Sequence, residues 1–210
     1  MASFPPLVAG TNVSATAKRR RPWTMPVLIG AAAVVPILVS LLLYFQPAWF
    51  ALGHSNHGRL LRPPVKIKTA PLARLFAASP LPADYFRGRW TMVYVGVPYC
   101  GAVCREALYV TRQIRLGMGQ DITRVQRLYV VRGDRVDAPR KLRSAHPDLT
   151  VAEAPGTAGQ QFAAQFTAIA GQNSIYLVDP QGLLMMTYPV KAKPLGLLQD
   201  LRHLLKVNSP

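Results

Sequence analysis

Residues 27–45, VLIGAAAVVPILVSLLLYF, form a run of 19 residues without one charged side chain. At 1.5 Å rise per residue a helix of that length reaches roughly 28 Å, about the thickness of a bilayer's hydrocarbon core. The run predicts a transmembrane helix over 25–46, preceded by a cytoplasmic tail at 1–24. Pro36 removes one helical N–H and is expected to kink the helix, while Trp23 and Trp49 flank it as interfacial anchors. The run outlasts the roughly 7–15 apolar residues of a cleaved signal peptide, so an uncleaved anchor is expected. Lys18, Arg19, Arg20 and Arg21 stand just before it, and the positive side of a span stays in the cytoplasm. The remainder should therefore be exported. The first 17 residues hold no Lys or Arg, unlike a mitochondrial transit peptide, which points to a single-pass protein of a bacterial inner membrane with a periplasmic C-terminal domain.

Half of the 210 residues are hydrophobic and 16% are charged, which excludes a disordered chain. All nine acidic residues and 21 of the 25 basic ones follow Phe45, so the exported part carries a net charge of +12 out of +16. Such an excess suits an acidic partner surface or anionic lipid headgroups equally. No clustered basic-aromatic motif accompanies it, so nucleic acid is not an expected partner. Two cysteines are too few for a disulfide scaffold or a four-cysteine zinc site.

Residues 47–83 carry His54, His57, the Pro63-Pro64 pair and prolines 71, 80 and 82 without sustained periodicity, and are expected to be a linker. From residue 84 to 210 the pattern turns to strands alternating with helices. Strands are expected at 90–97 and 125–131, which are apolar, β-branched and aromatic. Helices are expected at 100–116, at 157–170 with Thr157 as N-cap, and at 195–206. The tetrad Asp179-Pro180-Gln181-Gly182 should turn a hairpin between 174–178 and 183–188. This order predicts an α/β domain with a mixed central sheet and helices on both faces.

Cys100 and Cys104 fall where the first strand's carboxyl end meets a helix N-terminus, the place where ligand chemistry gathers in such sheets. Four residues apart at a helix start, they share one face, near enough for a disulfide or for two thiolates on one soft metal ion such as Cu(I). Helix N-terminal amides favour the thiolate, and Arg105 adds positive charge. An inert staple is the competing reading, but a disulfide closing so short a loop gains little stability. Met185 and Met186 point to opposite faces of a strand, so at most one could offer a thioether.

Four stretches, RGRWTMVYVGVPYCGAVCREAL, RGDRVDAP, AHPDLT and YLVDPQG, occur in an order that resembles the Sco/SenC family of copper-handling assembly factors of cytochrome c oxidase. The resemblance implies a thioredoxin-like fold for 84–210, Cys100 and Cys104 as the redox or copper pair, and oxidase subunit II or another oxidase assembly factor as partner. The chain departs from the family at Gly101 and Arg105, where prolines are usual. It departs again at Gly171, where the family's copper-ligand histidine would stand five residues before Tyr176. His146 matches the family's His-Pro motif, which is not its ligand, and His203 lies on the last helix as a surface residue. The expected function is thiol-disulfide exchange at Cys100 and Cys104 during copper-centre assembly. A Cu(I) carrier using the same cysteines, or a non-catalytic oxidase scaffold, are the alternatives.

Overall fold

The structure, a computed structural model, describes residues 24–45, 57–133 and 139–207. The chain divides into two units, Met1–Gly53 and His54–Pro210. Within the first, helix α1 (Thr24–Phe45) contains Pro36 and carries the apolar run. It is long and apolar enough to cross a membrane, with a mean hydropathy of 2.4 over Met25–Leu42. Lys18, Arg19, Arg20, Arg21, Trp23, Trp49 and His54 lie outside the described residues.

The second unit is built on a seven-stranded mixed sheet. In chain order its elements are β1 (Arg59–Lys66), β2 (Ala73–Arg74), β3 (Trp90–Gly96), α2 (Ala102–Leu116), β4 (Val125–Val131), α3 (Pro139–Ala145), β5 (Leu149–Glu153), α4 (Gly156–Ala170), β6 (Ser174–Val178), β7 (Leu183–Pro189) and α5 (Pro194–Val207). The strands are ordered β1-β7-β6-β3-β4-β5-β2. β3, β4 and β5 run parallel to one another, while the β1–β7, β7–β6, β6–β3 and β5–β2 pairs are antiparallel. The hairpin at 179–182 forms where the Pro-Gln-Gly turn chemistry predicts, with Asp179 Oδ1 accepting from the N–H groups of Gln181 and Leu183.

Strand alternation sorts β3 onto two cores. Trp90, Met92 and Tyr94 point toward α2 and α5, while Val93 and Val95 point to the face covered by α4. α2 buries Cys104, Ala107, Leu108, Thr111 and Ile114 at helical spacing, and α5 buries Leu197, Leu201 and Leu205. On the other face Phe162, Phe166 and Tyr176 meet edge to face at centroid separations of 5.5 and 5.4 Å. Truncating a ring such as Phe166 to alanine in a setting like this costs about 3–5 kcal/mol.

From residue 57 onward the structure corrects the expected linker at 47–83. Residues 59–66 form an edge strand against β7, and Ile67, Leu72 and Leu81 are buried in the core beneath α4. Of the prolines that suggest a tether, Pro63 and Pro64 sit where a strand tolerates them, since an edge strand has N–H groups to spare, and the β1–β7 register shifts between Leu60 and Val65. His57 is tied down as well: its backbone N–H donates to Asp200 Oδ2 at 2.7 Å and its ring Nδ1 lies 3.1 Å from Oδ1. Three smaller differences follow. α2 begins at Ala102 rather than Cys100, α4 is preceded by Pro155 with no side-chain cap instead of Thr157, and α3 and β5 insert between β4 and α4.

Candidate functional site

Cys100 and Cys104 are joined by a disulfide, with Cα atoms 5.1 Å apart. β3 ends at Gly96, the chain turns through Val97 to Tyr99, and Gly101 caps α2 in an extended conformation. The pair is asymmetric. Cys104, in the first turn of α2, is 5% exposed and belongs to the core, whereas Cys100, ahead of the cap, is half-buried and reaches the surface.

Beneath Cys104 lies an aromatic floor. Tyr94 and Tyr129 stack at a centroid separation of 5.8 Å, and the Tyr129 hydroxyl sits 3.5 Å from Cys104 Sγ while donating to the Val97 carbonyl at 2.9 Å. Gly96 makes room for this ring: a Cβ there would stand 2.9 Å from it. Burial pushes the Tyr94 hydroxyl above its ordinary pKa, with Arg132 opposing, so this hydroxyl stays uncharged at neutral pH. The inner sulfur therefore faces a dry wall.

The outer sulfur faces an opening. Cys100, Tyr99, Arg105 and Leu108 form one side of a cavity of about 330 Å³. Leu142, Lys141 and His146 form the other, so the cavity lies between α2 and the α3 segment. Arg105 Nη1 donates to the Cys100 carbonyl at 3.1 Å, which holds its guanidinium beside the disulfide. The His146 Nδ1 atom is buried without a hydrogen-bond partner among the described residues. Burial, with the charges of Arg127 and Arg112, pushes the His146 pKa down, so the ring is neutral at physiological pH.

The remaining candidates do not line the cavity at Cys100. Met186 is buried against Tyr188, whose hydroxyl lies 3.3 Å from its sulfur, and Met185 packs on the same core. His203 is exposed on α5. Gly171 closes α4 with φ of 75°, a backbone conformation that disfavours any side chain, and its carbonyl accepts from the Tyr176 hydroxyl. Among the described residues no group of three His, Cys, Asp or Glu comes together, and the two sulfurs in their reduced form are soft donors for a soft metal. Reasoning from the residues alone missed Tyr129, Lys141 and the position of His146 beside Cys100. Only the His146-Pro147-Asp148 triplet carried a local signal.

A family model described as "Transmembrane-like, thioredoxin-like, C-terminal domain" matches residues 90–208, more than half of the chain. The chain belongs to this family. The transmembrane-like, thioredoxin-like assignment agrees with one N-terminal apolar helix and a mixed sheet flanked by helices. Solved structures share the fold. The apo Sco1 protein from Thermus thermophilus is 19% identical, with a TM-score of 0.58 over 71% of this chain and 97% of that one. Copper-bound yeast Sco1 is 16% identical, with a TM-score of 0.53 over 75% and 97%. BsSco, a member of the Sco family of cytochrome c oxidase assembly proteins in which a disulfide switch was identified, is 12% identical, with a TM-score of 0.53 over 66% and 92%. No curated protein sequence matches the chain.

Proposed function

We propose that this chain is a thiol-disulfide factor for the copper centre of a cytochrome c oxidase, anchored by α1 in a bacterial inner membrane with its thioredoxin-like domain in the periplasm. The observation that carries the reading is the asymmetry of the disulfide: one sulfur opens onto a cavity and its partner is sealed against tyrosines. That arrangement suits a two-step exchange. In the reduced protein the Cys100 thiolate attacks one sulfur of a client disulfide, forming the mixed disulfide and releasing the client's other sulfur as a thiolate. Cys104 loses its proton and attacks Cys100, which releases the second client thiolate and restores the Cys100–Cys104 disulfide. Two electrons pass from the protein to the client, and a dithiol donor returns the protein to its reduced form. Oxidase subunit II is the proposed client, its reduced cysteine pair then accepting copper.

The fold shared with BsSco and the Sco1 proteins supports the assignment to oxidase assembly. The test is reduction of a subunit II copper-domain disulfide by the pre-reduced full chain in detergent micelles. One client disulfide should be reduced per protein, and either Cys→Ser variant should release no free dithiol client. Unimpaired oxidase maturation in cells carrying each variant would overturn the reading.

A second reading is a carrier of Cu(I) as cargo, favoured by the 5.1 Å Cα separation, which keeps the two thiolates within reach of one ion once reduced. Anaerobic Cu(I) titration of the reduced chain separates the two: a tight equimolar complex favours the carrier, and its absence favours the reductase.

A further inference from the structure

The cavity beside Cys100 has an uneven chemistry that the exchange reaction does not use. Its apolar lining comes from Leu108, Leu142 and the exposed ring of Tyr99. Its cations come from opposite sides: Arg105, held by its bond to the Cys100 carbonyl, and Lys141, exposed on α3. Among the described residues no Asp or Glu lines it, and His146 adds no negative charge. An occupant that covers apolar surface and offers negative charge to the two cations is therefore the one this lining favours. Its volume, about 330 Å³, lies at the small end of ligand pockets and suits a side chain with its neighbour rather than a large cofactor.

We propose that this cavity is the specificity subsite for a peptide client, and that it takes a segment in which an apolar residue and an Asp or Glu flank the reacting cysteine. The apolar residue enters between Leu108 and Leu142 while the carboxylate is shared by Arg105 and Lys141. The site deepens the exchange reading, since the occupant's cysteine is thereby presented to Cys100. The asymmetry of charge also orders the client, because a basic residue in the same place meets two like charges.

Binding is separable from redox turnover. The full chain, in its disulfide form in detergent micelles at low ionic strength, is titrated with short fluorescein-labelled peptides in which the cysteine is replaced by serine, flanked by Leu and by either Glu or Lys. The Glu peptide should bind about tenfold tighter than the Lys peptide by fluorescence anisotropy. Lys141→Gln should reduce that ratio to about threefold or less, and Lys141→Arg should restore it. Lys141 is exposed, so folding is not at stake, and unchanged thermal melting of both variants checks this. Equal affinities for the two peptides, or a ratio untouched by K141Q, would overturn the proposal. The serine peptides cannot exchange disulfides, so a protein that binds them selectively yet reduces no client disulfide would sink the exchange reading and leave the subsite standing.

Discussion

Arg127 and Asp148 are bound to each other at 3.1 Å, with the Arg127 side chain wholly buried under α2. Arg127 also donates from Nε to Thr111 Oγ1 at 3.2 Å and from Nη2 to the Leu108 carbonyl, while Arg115 reaches the same Asp148 carboxylate at 3.3 Å. One ion pair thus fastens β4, α2 and the α3–β5 connection together, directly behind the cavity at Cys100.

Removing one partner of such a pair leaves a buried charge without compensation. Asp148→Ala is expected to lower unfolding free energy by about 3 kcal/mol, measured by urea denaturation, whereas Arg127→Met together with Asp148→Ala should recover part of that loss. A single-variant loss below about 0.5 kcal/mol would show that the pair behaves as a surface bridge.

The same carboxylate sets an acid limit. Partial burial would raise the Asp148 pKa, but the charge and hydrogen bonds of Arg127, with Arg115, hold it below the usual carboxylate value. A depressed folded-state pKa means the contribution is complete above the unfolded value of about 3.9 and disappears as pH falls through the lower folded one. Wild-type urea midpoints should fall more steeply than those of Asp148→Asn as pH drops below about 4. Parallel curves would exclude Asp148 as the group responsible.

The two sulfurs should behave differently when separated. Cys104→Ser leaves the accessible Cys100 thiol and is expected to accumulate a mixed disulfide with a small disulfide or a client peptide, seen by intact mass. Cys100→Ser leaves the thiol of Cys104, 5% exposed, which should react at least about tenfold more slowly. Equal trapping rates would remove the asymmetry on which the proposed order of attack depends.

Asp200 gathers four donors, the backbone N–H groups of His57 and Gly58, the His57 ring and the Tyr188 hydroxyl at 2.8 Å, around a side chain only 2% exposed. Asp200→Ala orphans the Tyr188 hydroxyl and frees the start of the domain, for an expected loss of about 2–3 kcal/mol. Hydrogen exchange should show protection lost first at His57 and Gly58. Unchanged exchange there would mean that β1 alone holds this segment.

Periodicity and local turn chemistry determined what depends on near neighbours: the apolar span, the buried strands at 90–96 and 125–131, the hairpin around Asp179 and Gly182, and the amphipathic α5. The two cysteines were legible for the same reason, since four residues across a helix start place their side chains together whatever surrounds them. β1 and β5 were not legible. The first is a Pro-bearing edge with little alternation and the second is five residues long, so both owe their form to a neighbouring strand already in place. Tertiary structure alone decided which sulfur is sealed and which is open, because Tyr129 and His146 approach the pair from positions 25 or more residues away in the chain. Burial and charge at a site are sums over all groups that packing brings near it, and that sum has no expression in the local sequence.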